Sequence, residues 1–283
     1  RQQMRAASSD SRSLATKHNS IYSDTRLAWE NRYNAHRVGV FGGMRLSFDE
    51  YTRRTQLVYN TNSDKTPQIN NGTMDRTAVG ADNSWRNWDW YVQGNYNYLG
   101  RYFVQANVTA SASSRVGDEA KKGGIVFGKA LWGLFPSLQA AWVITNEPWM
   151  ASIKHLDYLK LSAGFDMSGN DNINNFAKKS YFSSNLYLNS VSALAFNGIG
   201  NDAIKWETTT RWNLGIDAGL LENRLRVGVN FFTSTTRDLL SLQTLGVLSG
   251  IENYWTNNGK LQNRGYDVSA VGKIVSSKDW QWE

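Results

Sequence analysis

Apolar residues recur at every second position along most of the chain, and the 3.6-residue repeat of a helix is nearly absent. Val38, Val40, Gly42, Met44, Leu46 and Phe48 form one apolar face, with Gly39, Gly43, Arg45 and Ser47 between them. From Tyr102 onward, Val104, Ala106, Val108, Ala110 and Ala112 share a face, and Gln105, Asn107, Thr109 and Ser111 share the other. Trp206, Thr208, Thr210, Trp212, Leu214, Ile216, Ala218 and Leu220 alternate in the same way with Glu207, Thr209, Arg211, Asn213, Gly215, Asp217 and Gly219. Leu225, Val227, Val229 and Phe231 follow. Such segments run for roughly 12 to 16 residues, against about 5 or 6 for an ordinary strand. A tilted membrane strand needs about 9 to 11 residues to cross the hydrocarbon. The alternation predicts about nine full strands and the start of a tenth, at 20–32, 37–49, 86–98, 101–113, 133–145, 156–167, 206–220, 224–239, 257–274 and from 280 onward.

The connections between these strands alternate in length. Residues 33–36, 99–100, 221–223 and 276–279 are short turns. Residues 49–85, 114–132, 168–205 and 240–256 are long, and 146–155 is of middle length. Short turns on one side and long loops on the other are the mark of an outer-membrane barrel, with the short side periplasmic. Trp88 and Trp90 stand at one end of strand 86–98 and Tyr96 and Tyr98 at the other, all on the face of Val92. That spacing fits two interfacial aromatic girdles. A β-sandwich core would also use these rings, but it needs neither such long strands nor such asymmetric loops. The expected fold class is all-β, an antiparallel transmembrane barrel. Its expected faces are Val104, Ala106, Val108, Leu214 and Ile216 toward lipid, and Gln105, Asn107, Asn213 and Asp217 toward the lumen.

Composition agrees with this reading. The 283 residues are 41% hydrophobic and 13% aromatic, with 12 Trp, 3 Pro and no Cys. No run reaches the roughly 18 apolar residues of a membrane-spanning helix, whereas a strand crosses with alternate apolar positions only. Without Cys there is no disulfide framework or thiolate metal site here. No apolar segment follows Arg1-Gln2-Gln3-Met4-Arg5, so a secretory signal is expected to be absent from the chain. The formal charge is +7, but Lys and Arg are dispersed, with pairs such as Arg53-Arg54 and Lys121-Lys122 the longest runs. That distribution does not point to nucleic acid.

No motif carries a convincing chemistry. Gly123-Gly124-Ile125-Val126-Phe127-Gly128-Lys129-Ala130 has P-loop spacing, but Ala130 stands where a Mg²⁺-binding Ser or Thr belongs, and no strand–helix unit surrounds it. Asn170-Asp171-Asn172-Ile173-Asn174-Asn175 hints at a calcium loop but lacks the glycine at the sixth position, and Tyr181 replaces the glutamate at the twelfth. His18, His36 and His155 are far apart and suit surface roles. No nucleophile–base pair shares a strand face. Asn71-Gly72-Thr73 is a formal glycosylation sequon without that meaning in a bacterial outer-membrane protein. No catalytic residue, metal site or cofactor is expected, and the chain reads as a non-enzyme.

The segment Asn201-Asp202-Ala203-Ile204-Lys205-Trp206-Glu207-Thr208-Thr209-Thr210-Arg211-Trp212-Asn213-Leu214-Gly215-Ile216-Asp217 resembles the "LKWE-T…NxGxD" block of SusC/RagA-type TonB-linked outer-membrane proteins of Bacteroidetes. The resemblance continues through Glu222-Asn223-Arg224-Leu225 and Thr236-Arg237-Asp238-Leu239-Leu240. Further blocks follow in the family's order: Gly100-Arg101-Tyr102, Ser113-Ser114-Arg115, Trp132-Gly133-Leu134-Phe135-Pro136-Ser137, Ala141-Trp142-Val143-Ile144, Glu147-Pro148-Trp149-Met150, Leu159-Lys160-Leu161, and Asn258-Gly259-Lys260-Leu261-Gln262-Asn263-Arg264-Gly265-Tyr266. It covers residues from about 85 to 283. Residues 1–84 fit the barrel pattern without a nameable motif.

The resemblance implies a plugged barrel of about 22 strands, of which residues 1–283 supply one part. The plug domain, the N-terminal TonB-contacting segment, the signal peptide and the C-terminal strands are expected to lie outside the chain. It further implies TonB-dependent active import of an oligosaccharide or peptide across the outer membrane. The implied partners are a SusD-like surface lipoprotein, TonB, and outer-membrane lipid and lipopolysaccharide. A passive porin-like channel and a surface binding or adhesin barrel are the alternatives. Trp85 and Trp255, placed in the long loops, are candidates for contact with ligand or lipoprotein, because an aromatic ring can stack on a sugar; the upper aromatic girdle is their plainer role.

Overall fold

The computed structural model describes residues 10–61, 72–120, 124–127, 130–187, 191–246, 253–273, 275–276 and 281–282. Their strands, in chain order, are β1 (Asp10–Tyr33), β2 (His36–Thr61), β3 (Gly72–Tyr98), β4 (Tyr102–Ser113), β5 (Ile125–Phe127), β6 (Ala130–Val143), β7 (Leu156–Asn170), β8 (Tyr181–Tyr187), β9 (Val191–Gly198), β10 (Glu207–Leu220), β11 (Leu225–Arg237), β12 (Leu240–Thr244), β13 (Asn253–Asn257), β14 (Lys260–Gly272), β15 (Val275–Ser276) and β16 (Gln281–Trp282). Two 3-10 turns, Ile144–Asn146 and Pro148–Met150, separate β6 from β7.

Nine strands form one meander in the order β1-β2-β3-β4-β6-β7-β10-β11-β14, with β5 added to β6. The ladders from β3 to β14 are antiparallel. Their registers carry the two-residue period across the sheet. On one face the partners run Tyr96, Val104, Ala140, Ala163, Leu214, Phe231, Tyr266. One residue over, on the other face, they run Asn95, Gln105, Gln139, Gly164, Asn213, Phe232, Gly265. A one-residue slip on any strand would break both rows at once, so the pattern fixes the register. The apolar row is open to the surroundings: Leu214 is 59% exposed and Val108 49%. A soluble sheet would bury such a face; a membrane strand turns it to lipid.

The nine predicted wall strands from 20–32 to 257–274 are all present, but the first three are longer than expected. β1, β2 and β3 have 24, 26 and 27 residues, more than twice what the hydrocarbon requires. Much of the long loop expected at 49–85 is therefore strand. Residues 1–23 and 46–86 form a compact unit of their own, and 24–45 with 87–283 form the second. In the first unit His18 Nε2 lies 2.6 Å from Asp49 Oδ2, Asn19 donates to Glu50, and Arg86 stacks over Phe48.

The other long connections also hold secondary structure. β8 and β9 form a hairpin, as do β12 and β13, each a two-stranded sheet apart from the wall. The strand expected from 280 onward is β16, which pairs back with β15 in a further two-stranded sheet. Most of the 276–279 turn lies outside the described residues, as do Asn71, Gly123, Gly128 and Lys129 of the motifs considered above.

The short turns are tight. Between β3 and β4, Leu99 (φ 54°) and Gly100 (φ 67°) are both left-handed, and the Arg101 amide closes the turn on the Tyr98 carbonyl at 2.9 Å. Positive φ at both central residues is the type I′ geometry that matches the strand twist. Leu221, Glu222 and Asn223 are left-handed in succession between β10 and β11.

Candidate functional site

Two regions of the second unit combine polar groups with a defined geometry: the polar face of the wall and the block of long connections at one end of it.

On the polar face, side chains lie across the glycines opposite them. Asn213 faces Gly164 in register, and its side chain fills the space a Cβ would need there. Ser162 Oγ stands 2.6 Å from the Cβ position of Gly215, and Ser269 Oγ 2.7 Å from that of Gly228. The Phe232 ring lies over Gly265 in the same way. Each glycine thus lets a neighbour lie flat, which keeps the face shallow. Three ion pairs lie on it: Lys160 Nζ reaches Asp217 at 2.8 Å, Arg37 pairs with Glu30, and Arg45 lies 3.3 Å from Asp24. Asp24 also accepts the Tyr91 hydroxyl at 2.6 Å, and Tyr91 meets Phe41 edge-on beneath the guanidinium of Arg26. A hollow of about 630 Å³ opens here, lined by Glu30, Arg37, Asn95, Gln105, Gln139 and Lys160 among others. Such a face presents hydrogen-bonding and charged groups to water or to a polar occupant.

The connections after β4, β7 and β11 lock into one block. The Gly117 amide donates to the Ile204 carbonyl at 2.7 Å, Glu119 to Asp202 at 2.9 Å, and Asn201 to Ala177 at 2.9 Å. The Asn257 amide group donates to the carbonyls of Lys205 and Asp238, both at 2.9 Å, and its oxygen accepts from the Lys205 amide at 2.8 Å. Lys205 closes an ion pair with Asp238 at 2.8 Å. Glu207 accepts from Asn170 and from the Leu240 amide. Two apolar cores hold the block: Val116, Ala120 and Trp206 with Leu131 and Phe135, and Ile173, Ala177 and Ile204 with Leu240 and Trp255. Methyl groups at Gly133 or Gly169 would collide with the Phe135 ring. The 201–217 segment thus ties the loops together: Asn201, Ile204, Lys205, Trp206 and Glu207 each join different connections.

Trp255 lies in β13, not in an irregular loop. It packs on the second core, and its carbonyl accepts from the Asn201 side chain at 3.0 Å. Trp85 lies within β3, half-buried, in the first unit. The two tryptophans thus belong to different units. Asn170–Asn175, which leaves β7 and buries Ile173 in the second core, is held by polar contacts: Ser113 donates to Asp171 at 2.5 Å, and Arg115 donates to Asn175. Among the described residues, no group of three or more His, Cys, Asp or Glu side chains comes together.

At the short-turn end, Glu147 is almost fully buried. The Tyr102 hydroxyl and the Trp142 indole N–H (3.0 Å) donate to its carboxylate, and Arg101 lies 3.4 Å away. These groups, the Tyr102 hydrogen bond foremost, hold the Glu147 carboxyl below the usual glutamate range despite burial, which acts in the opposite direction.

A family model for the TonB dependent receptor-like β-barrel matches residues 2–283. The chain belongs to that family. It is 32% identical over 192 residues to the TonB-dependent receptor P39 of Formosa agariphila, covering 68% of this chain and 18% of the relative. It is 30% identical over 203 residues to the TonB-dependent receptor SusC of Bacteroides thetaiotaomicron, covering 67% and 19%. The fold superposes on the RagAB peptide transporter with a TM-score of 0.81 at 23% identity, over 95% of this chain and 29% of that one. The chain thus spans less than a third of each of these three proteins, and its nine-stranded meander is part of the wall of a larger outer-membrane barrel. In that setting the row from Tyr96 to Tyr266 meets lipid and the row from Asn95 to Gly265 meets the lumen.

Proposed function

We propose that the protein to which this wall belongs actively imports a large nutrient, an oligosaccharide or a peptide, across the outer membrane, driven by TonB and assisted by a SusD-type lipoprotein. The observation that carries the reading is the conjunction of the family match with the loop block built on the 201–217 segment. That segment is the one that resembles SusC/RagA-type proteins, and here its hydrogen bonds and apolar contacts join several long connections into a single block. A surface of mutually bonded loops suits the seating of a lipoprotein, because less ordering entropy is lost on contact than with separate loops. The shallow, hydrogen-bonding lumen face suits a polar occupant. Contact of Trp85 and Trp255 with ligand or lipoprotein belongs to the same proposal. A plugged lumen blocks free diffusion of a large ligand, so uptake needs an energy source.

The test is uptake of labelled oligosaccharides and peptides by cells carrying the full-length protein, with and without TonB and with and without the neighbouring lipoprotein. Loss of uptake in both deletions is the expected result. Undiminished uptake without TonB would favour a passive channel, and binding without uptake would favour an adhesin.

A further inference from the structure

The short-turn rim carries large apolar side chains that stay exposed among the described residues. Leu99 is 46% exposed, Trp149 59%, Ile153 48% and Leu221 52%. They sit on consecutive turns that are hydrogen-bonded to one another. Asn146 Nδ2 donates to the Gly100 carbonyl at 2.7 Å, and the Leu221 amide donates to the His155 carbonyl at 3.2 Å. The 144–155 connection is held rigidly from beneath by buried Ile144, Glu147 and Met150, while Trp149 and Ile153 are left outside. Leu99 and Leu221 are left-handed, a conformation that Gly or Asn adopts at far lower cost than a branched side chain. A bulky apolar residue held in a strained turn and left exposed has no stabilising role in water.

The neighbouring surface indicates what covers it. A row of rings runs across β2, β3, β4 and β6 at this end: His36–Tyr98 at 4.7 Å, Tyr98–Tyr102 at 6.2 Å and Tyr102–Trp142 at 6.1 Å. Tyr102 and Trp142 are partners in register with the apolar face, so the row is the belt at which that face leaves the hydrocarbon. The Glu147 carboxylate joins this belt to the 144–155 connection. Lys154 and Arg224 stand exposed beside Ile153 and Leu221.

We propose that Leu99, Trp149, Ile153 and Leu221 form a foot that rests in the headgroup region of the adjacent leaflet, with Lys154 and Arg224 on anionic lipid phosphates. Apolar side chains with flanking Lys and Arg are the composition that binds at a bilayer interface. The foot extends the lipid contact of the wall beyond the ends of its strands and sets the depth of the barrel on that side.

The test uses the full-length protein in a cysteine-free background, reconstituted in phosphatidylethanolamine–phosphatidylglycerol vesicles. Nitroxides are placed singly through Leu99→Cys, Trp149→Cys, Ile153→Cys and Leu221→Cys, with Val108→Cys as the hydrocarbon control and Asp118→Cys, exposed in the loop block at the other end of the wall, as the water control. Relaxation by oxygen against relaxation by a water-soluble nickel chelate reads the depth. The expected ratios for the four rim labels fall between the two controls, and Lys154→Gln with Arg224→Gln shifts them toward the water control. Rim ratios equal to that of Asp118→Cys overturn the proposal and leave the surface for a water-borne protein partner. A conserved heat-dependent shift in gel mobility shows that each variant is folded.

Discussion

Val108 and Asn107 are adjacent in β4 and meet different solvents. Val108 pairs with Val92 and Pro136 on the apolar face, Asn107 with Gln93 and Ser137 on the polar one. Val108→Arg is therefore expected to cost about 2–4 kcal/mol in barrel stability, the price of a cation near the bilayer midplane. Asn107→Arg is expected to cost well under half of that, since its side chain stays wet; denaturant unfolding of the reconstituted full-length protein measures both. Glu147 supplies a pH dependence. Its carboxyl is held below the usual glutamate range in the folded state, so the folded protein binds fewer protons than the unfolded one at mildly acidic pH. The resulting stabilisation is complete above the ordinary glutamate value and is lost as pH falls below it through the lowered value. Thermal unfolding of wild type and Glu147→Gln should differ by a constant margin at neutral pH, and the margin should close in that acidic window. A margin independent of pH would show that the carboxylate is not the group that matters.

At the scale of elements, the loop block behaves as a unit because its ties cross long stretches of chain. Asn257→Ala removes three hydrogen bonds at once and leaves the Lys205 amide and carbonyl and the Asp238 carbonyl without their partner. The expected loss is about 1–3 kcal/mol of local stability, or roughly ten- to hundredfold faster hydrogen exchange at Lys205 and its neighbours. Exchange in β4 and β10 should be unchanged. The wall strands were legible in the sequence because lipid on one side and water on the other impose a two-residue period that nothing else in the chain imitates. That signal fades where both faces are wet. Thr52, Arg53, Arg54 and Thr55 show no alternation, so the pattern alone predicts a loop over the far parts of β2 and β3, Trp85 included, where the structure has strand. The hairpins β8–β9 and β12–β13 were hidden for the same reason. The ties of Asn201 and Asn257 were not legible in physical terms, because each joins residues about fifty positions apart and an Asn in a polar loop has no pattern of its own. The resemblance marked the 201–217 segment without revealing what it does; the structure supplies the reason, a segment that joins several loops.

Across the wall from β3 to β14 one division holds: a continuous dry face and a continuous wet face, seven strands wide, in part of the wall of an outer-membrane barrel. The import proposal, the cost of Val108→Arg and the membrane foot all assume that division. The most direct test is cysteine scanning of residues 103–109 in β4 of the full-length protein in outer-membrane vesicles, with a charged, water-soluble thiosulfonate as the probe. Modification at 103, 105, 107 and 109, and protection at 104, 106 and 108, is the predicted result. Modification at the even positions with protection at the odd ones, or uniform reactivity along the strand, would contradict it.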